Sequence, residues 1–145
     1  MVTYGATATD LVDGNVAVVF APHSGSLFPI GTWTGLATTT DSHGNSASAT
    51  FTVIVKGAPE QIADLIGYVP TCYGWCTLDK GLTTSLTSQL RATQRDLQSG
   101  ATAQACEDAA TFIAHVRAQS GKKIPAEWAG VFIDDALRIR AVLGC

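Results

Sequence analysis

The chain has 145 residues and a formal net charge of −3, and only 14% of its residues are charged. A chain so poor in charge has no basic patch able to neutralise phosphates, so we expect no nucleic-acid partner. Its longest apolar runs, such as residues 16–21, are much too short to cross a bilayer, so we expect no membrane insertion. No charged-then-apolar signal segment opens the sequence, as expected of a mature protein or an excised fragment.

The sequence changes character at residues 56–59. All nine Lys and Arg residues lie at or beyond Lys56, and all four cysteines lie beyond Gly57. Thr-rich alternation comes before this point and helical spacing follows it. We therefore predict an all-β module at residues 1–57 and an all-α module at residues 58–145, each near the lower size limit for a self-sufficient core.

In the first module, apolar side chains alternate with their neighbours over residues 16–20 and again over residues 51–55, which is strand spacing. Gly-, Asn- and Pro-containing turn signals separate these runs. The pattern predicts four strands, near residues 2–9, 15–21, 32–40 and 46–56.

The turn signals form an ordered series: Thr-Ala-Thr-Asp at 7–10, Val-Asp-Gly at 12–14, Ser-Gly-Ser at 24–26, Phe-Pro-Ile-Gly at 28–31, and Asp41 with Gly-Asn at 44–45. This series resembles a hyalin repeat (HYR) over residues 2–56. The resemblance implies an immunoglobulin-like β-sandwich. The family's opening strand has no counterpart in this chain, so we expect a sandwich that lacks its first strand and leaves a sheet edge open.

The resemblance also bears on the packing of the module. Hyalin repeats often carry two cysteines on facing strands, and these positions align with Phe20 and Ala37. We expect Phe20 to fill the space over Ala37 in a contact across the sheets. Trp33 shares strand parity with Gly35 and is predicted to be buried, whereas Leu36 is predicted to point outward.

The second module shows four apolar stripes at helical spacing, over residues 62–69, 78–97, 106–116 and 128–142. Short connections between them predict a small four-helix bundle of antiparallel neighbours. The inward residues of the last helix are expected to include Trp128, Phe132, Ile133, Leu137 and Val142.

This half resembles FIMAH, a small helical module found at the C-terminal ends of bacterial secreted and surface proteins, over residues 60–143. The residues that carry the resemblance are Ala105-Cys106, Phe112-Ile113 with Val116, Ser-Gly-Lys-Lys-Ile at 120–124, and Ala136 with Arg-Ile-Arg at 138–140. Such modules accompany enzymes and adhesins without being catalytic, so the resemblance implies an accessory role. The segment between Cys72 and Cys76 departs from the family's usual turn.

Four cysteines allow three pairings. Cys106 is predicted in the opening turn of the third helix and Cys145 just beyond the fourth, so antiparallel packing brings them together. Cys72 and Cys76 bracket a Tyr-Gly-Trp turn at the opposite end. We predict the pairs Cys72–Cys76 and Cys106–Cys145, which would staple the bundle and imply an extracellular or cell-surface location.

Chemical alternatives have less support. A zinc site would need ligands beyond the Cys72–Cys76 pair. Asp10, Asp13 and Asp41 are a candidate calcium set at one end of the sandwich, although Asp13 and Asp41 are better explained as turn residues. We expect no cofactor and no bound metal. The sequence has neither a nucleophile elbow nor a zinc-protease helix, so we expect no enzyme.

Two functional hypotheses remain. The first is a non-catalytic structural or adhesive interaction module of a secreted or cell-surface protein. Its partners would be other protein chains, including copies of itself joined by strand addition at the open edge. The alternative is a carbohydrate-binding accessory domain of a secreted hydrolase, with polysaccharide as its partner and Trp33, Tyr73 and Trp75 as candidate platforms. Leu36, Tyr73 and Trp75 are the predicted interaction surface.

Overall fold

The computed structural model describes residues 1–145 as two compact units, Met1–Val55 and Lys56–Cys145. The first unit contains five strands, and the second contains four α-helices and one 3-10 helix. The predicted order of a β region followed by helices is confirmed.

The strands are β1 (Ala8–Asp10), β2 (Gly14–Val16), β3 (Val18–Ala21), β4 (Gly31–Thr40) and β5 (Ser46–Val55). β1 and β2 form a two-stranded antiparallel sheet. The other three form an antiparallel sheet in the order β3-β4-β5. β5 pairs with β4 along its whole length and has no second neighbour, so it is an edge strand.

Two of the predicted strands differ in the structure. The strand predicted at 15–21 is interrupted at Ala17, and its two halves belong to different sheets. The strand predicted at 2–9 is reduced to β1, although Val2 exchanges backbone hydrogen bonds with the loop at Gly25 and Ser26. Alternation shows which side of a strand a residue faces, but it does not identify the strand's hydrogen-bonding partner.

The predicted contact of Phe20 over Ala37 across two sheets is wrong. The two residues are direct partners on β3 and β4, within one sheet. The Phe20 ring instead meets the rings of Tyr4 and Phe51, with centroid distances of 5.2 and 6.0 Å. Phe51 in turn covers Gly35, where an added Cβ would lie 2.2 Å from the Phe51 Cζ.

The helices are α1 (Ala58–Tyr68), α2 (Lys80–Gln98), α3 (Thr102–Gln119) and α4 (Ala126–Leu143), with the 3-10 helix at Val69–Gly74. Asp79 caps α2, because its Oδ1 accepts the backbone N–H of Leu82 at 3.0 Å. Gly144 ends α4 with a φ of 84°, a conformation that glycine adopts without strain.

The helices pack in a closed ring, in which α1 contacts α2 and α4, and α3 contacts α2 and α4. The buried stripe of α4 consists of Ala129, Phe132, Ala136 and Ile139. Leu137 and Val142 were predicted to face inward, and both are exposed. Ala129 and Ala136 occupy the inward positions instead. None of the helices is long and apolar enough to span a membrane.

Candidate functional site

β5 leaves a row of backbone groups without partners. The Asp41 N–H donates to the Asn45 carbonyl at 2.9 Å, in line with the β4–β5 register. Because hydrogen-bonded and non-bonded pairs alternate in an antiparallel ladder, the odd-numbered residues of β5 bond to β4. The backbone groups of the even-numbered residues therefore point away from the sheet, and they make no other backbone hydrogen bond within the chain. They belong to Ser46, Ser48, Thr50, Thr52 and Ile54.

The whole of β5 lacks charged residues and proline, the features that usually protect an edge strand from pairing. β5 has ten residues, whereas β3, at the other edge of the same sheet, has four. β5 is therefore the longer of the two edge strands of this sheet, and it is the candidate for the open edge expected from the sequence.

One face of the three-stranded sheet carries Phe20, Gly35, Ala37, Ala49, Phe51 and Val53, and we call it the groove face. Two adjoining cavities of about 260 and 180 Å³ lie along it, and both are lined by Ala6, Ala37 and Ala49. Ala47 lines the smaller cavity. We call this space the alanine groove. Val53 is the only fully buried apolar side chain in residues 1–55, and Phe20, Ala37 and Phe51 on the groove face are partly buried.

Tyr4 closes one end of the alanine groove, which the sequence analysis did not anticipate. Its ring centroid lies 4.7 Å from that of Phe51, and its hydroxyl donates to the backbone carbonyls of Pro22 and His23. The only signal was a lone tyrosine before the first turn motif, and its role depends on contacts about 20 residues away or more.

The opposite face of the sheet contains Leu36. This side chain is exposed, as predicted, and is flanked by Ala21 on β3 and Thr50 on β5. Val19 and Ile54 are exposed on the same face, among Thr and Ser side chains. Leu36 is thus one of several isolated apolar side chains on a hydroxyl-rich surface.

Trp33 was predicted to be buried, and this prediction is wrong. The side chain is 41% exposed, and its Nε1 donates to the Pro29 carbonyl at 2.9 Å. Trp33 does lie on the groove face with Gly35, but the Phe51 ring occupies the space above Gly35 that the indole was expected to fill.

The disulfides of the second unit join Cys72 to Cys76 and Cys106 to Cys145. Within the loop of the first pair, Cys72 and Tyr73 have positive φ angles of 45° and 55°, which non-glycine residues rarely adopt. Trp75 is 81% exposed, whereas Tyr73 is half-buried. The two side chains therefore do not form a shared exposed platform.

The Tyr73 ring stacks with the rings of Tyr68 and Trp128, at centroid distances of 4.1 and 5.9 Å. Its hydroxyl donates to Asp135 Oδ2. Burial raises the pKa of Tyr73, and the hydrogen bond to the Asp135 carboxylate raises it further, so the phenol stays protonated. The sequence pattern indicated Tyr73 as a candidate, but its partners on α1 and α4 are distant in the chain and are evident only from the fold.

The acidic residues of the first unit stabilise turns. Asp10 Oδ1 accepts the N–H groups of Val12 and Asp13, and the Asp13 carboxylate accepts the backbone N–H and hydroxyl of Ser42. Ligand atoms of Asp13, Asp41 and His43 lie within 4.8 Å of one another, and Asp10 does not belong to this group. Calcium binding by Asp10, Asp13 and Asp41, the less supported alternative in the sequence, stays untested.

The sequence model of the HYR domain family matches residues 2–55, which is less than half of the chain. HYR domains are generally non-catalytic, extracellular modules of the adhesion type. The predicted resemblance of the first module to this family is confirmed. No curated protein and no solved structure matches the chain.

Proposed function

We propose that the chain is a non-catalytic structural or adhesive module of a secreted or cell-surface protein, and that it associates with a second copy of itself through β5. The HYR match and the two disulfides support an extracellular setting. The free edge of β5 is the observation that carries the proposal.

We also propose a fold for each of the two units. We propose that the first unit is an immunoglobulin-like sandwich that lacks its first strand, and that the second unit is a FIMAH-like, disulfide-stapled four-helix bundle. The domain limits proposed for them are residues 1–57 and 58–145. The first unit has one fully buried apolar side chain, Val53, and this small core supports a missing structural partner there.

The side-chain sizes along β5 favour antiparallel pairing with another β5. On the groove face the strand begins with the small residues Ala47 and Ala49 and continues with the large residues Phe51 and Val53. Antiparallel pairing with Thr50 on the two-fold axis places Phe51 of the second copy opposite Ala49, and Val53 opposite Ala47. Large side chains then lie beside the alanine groove, and the sheet continues across both copies.

The same register provides hydrogen-bond partners for the outward backbone groups of β5. Thr50 belongs to the even-numbered residues whose N–H and C=O groups point outward, so two copies of Thr50 exchange both hydrogen bonds. Ser48 then faces Thr52, which is a second pair of this kind. Uncharged side chains along the strand leave no like-charge repulsion between the copies.

We predict that Thr50→Pro abolishes the association without unfolding the chain. Proline removes an N–H that points away from β4, and an outward-facing position of an edge strand is where a sheet tolerates proline. Light scattering should give twice the 15.1 kDa chain mass for the wild type, and the chain mass itself for the variant.

The matched control is Thr50→Val, which keeps both the N–H and the β-branched shape and should remain dimeric. Circular dichroism establishes that both variants are folded. A monomeric wild type, or a folded Thr50→Pro variant as dimeric as the wild type, would refute association through β5.

A further inference from the structure

We propose that the helical unit binds one ring of a neutral sugar in a cleft between α1, the 3-10 helix and α4. The cleft has a volume of about 100 Å³ and is lined by Gln61, Asp64, Tyr68, Tyr73, Asp135 and Arg138. It lies entirely within residues 56–145, and the proposal does not depend on association through β5.

The aromatic wall of the cleft ends in an exposed ring. Tyr73 stacks on Tyr68, with ring centroids 4.1 Å apart, and on Trp128, with ring centroids 5.9 Å apart. Tyr68 lines the cleft and is 40% exposed, so part of this side chain is accessible to a ligand. An aromatic face of this kind packs against the C–H groups of a sugar ring.

Polar groups next to this wall retain unused hydrogen-bonding capacity. Arg138 Nη1 donates to Asp135 Oδ1 at 3.2 Å, and the guanidinium makes no other hydrogen bond. The Gln61 amide donates from Nε2 to the Lys56 carbonyl at 2.8 Å, which leaves Gln61 Oε1 free to accept. The cleft therefore offers donors and acceptors together, and sugar hydroxyls both donate and accept.

The charges in and around the cleft favour an uncharged ligand. The Asp135 carboxylate is paired with Arg138, and Asp64 is paired with Lys56 at 2.5 Å. An acidic sugar would lie close to two carboxylates, and a cationic ligand close to two basic side chains. Because the four charges balance, a neutral ring is the best match.

The size of the cleft limits the ligand and its affinity. The cleft is much smaller than the roughly 300–1,000 Å³ of sites for drug-sized molecules, so it holds no more than one ring and leaves the rest of a saccharide in solvent. We expect a dissociation constant on the order of 1 mM for a monosaccharide.

Tyr73 belongs to the loop closed by the Cys72–Cys76 disulfide. Trp75 projects from the same loop and does not line the cleft. Tyr68 therefore replaces Trp75 as the proposed sugar platform.

The test is an NMR titration of the full chain with glucose, galactose, mannose and N-acetylglucosamine, each up to about 50 mM, with glucuronate as the charged comparison. At least one neutral sugar should shift the resonances of Gln61, Tyr68 and Arg138. Tyr68→Ala and Arg138→Gln should each weaken binding about three- to tenfold. Both changed side chains are substantially exposed, and unchanged amide spectra elsewhere establish that the variants fold.

Trp75→Ala is the matched control, because it removes an exposed aromatic side chain that lies outside the cleft. Its affinity should equal that of the wild type. The proposal is overturned if no neutral sugar shifts these resonances, if glucuronate binds more tightly than the neutral sugars, or if Trp75→Ala loses as much affinity as Tyr68→Ala.

Discussion

The Asp41 side chain accepts three hydrogen bonds within the turn between β4 and β5. Its Oδ1 accepts the backbone N–H groups of His43 and Asn45, and its Oδ2 accepts the Asn45 side-chain amide at 2.7 Å. The Asn45 amide, helped by these backbone groups, holds the pKa of the Asp41 carboxyl below its ordinary value of 3.8. The ionised carboxylate therefore stabilises the folded turn.

We predict that the first unit loses stability in acid through this carboxylate. Because folding lowers the pKa, the contribution of Asp41 is present above about pH 4 and is lost as the pH falls through the folded-state pKa. Thermal unfolding of the wild type and of Asp41→Asn, between about pH 7 and pH 2, should show a difference that shrinks in acid. A difference that is constant over this range would contradict a role for the ionised form.

Trp33 shows the limit of inference from single residues. Strand parity placed it correctly on the face that contains Gly35, because side chains alternate strictly along a strand. Whether Trp33 is buried or exposed could not be predicted, because Phe51 fills the space above Gly35. Phe51 lies 16 positions beyond Gly35 in the chain. Which of two aromatic rings covers a glycine is decided by three-dimensional packing.

Among the elements, α2 has the clearest local determinant. The Asp79 carboxylate accepts the backbone N–H of Leu82, which would otherwise lack an intrahelical partner. We predict that Asp79→Ala lowers the free energy of unfolding by about 1 kcal/mol. Urea unfolding followed by the helical circular dichroism signal measures this loss.

The matched control for the cap is Asp134→Ala. Asp134 is an exposed aspartate inside α4 and makes no hydrogen bond through its side chain. This variant should lie within about 0.5 kcal/mol of the wild type. Equal losses in the two variants would contradict the capping role of Asp79.

The helices themselves were predictable, because a 3.6-residue period is visible in the spacing of Leu, Ile, Val and Phe. The buried face of α4 was not. Its inward positions include Ala129 and Ala136, which a search for large apolar residues overlooks. Small residues at these positions allow neighbouring helices to approach closely. The inward position of the two alanines is therefore evident only when the packed helices are known.

At the scale of the whole molecule, the disulfides differ in the length of chain they close. Cys106–Cys145 spans 39 positions and joins the start of α3 to the end of α4, whereas Cys72–Cys76 spans four. In the chain-entropy account, a cross-link stabilises by restricting the unfolded chain, and longer loops are restricted more. The two bonds should therefore contribute unequally.

We predict a loss of about 4 kcal/mol for the double variant Cys106→Ser/Cys145→Ser, and of about 2 kcal/mol for the control Cys72→Ser/Cys76→Ser. Denaturant unfolding of the helical unit measures both, and peptide mapping without reductant verifies the pairs. A larger loss in the control would show that constraint of the unfolded chain is not the main effect.

The sequence by itself determined the order of a β region and four helices, the approximate limits of β4, β5 and the helices, and the resemblance of residues 2–55 to HYR domains. These features are local, because strand and helix periods and turn residues follow from backbone geometry within a few positions. Tertiary structure decided the separation of β2 from β3, the exposure of Trp33, the Tyr68–Tyr73 stack and the alanine groove. Each of these features depends on which distant residues come into contact, and periodicity along the chain does not specify such contacts.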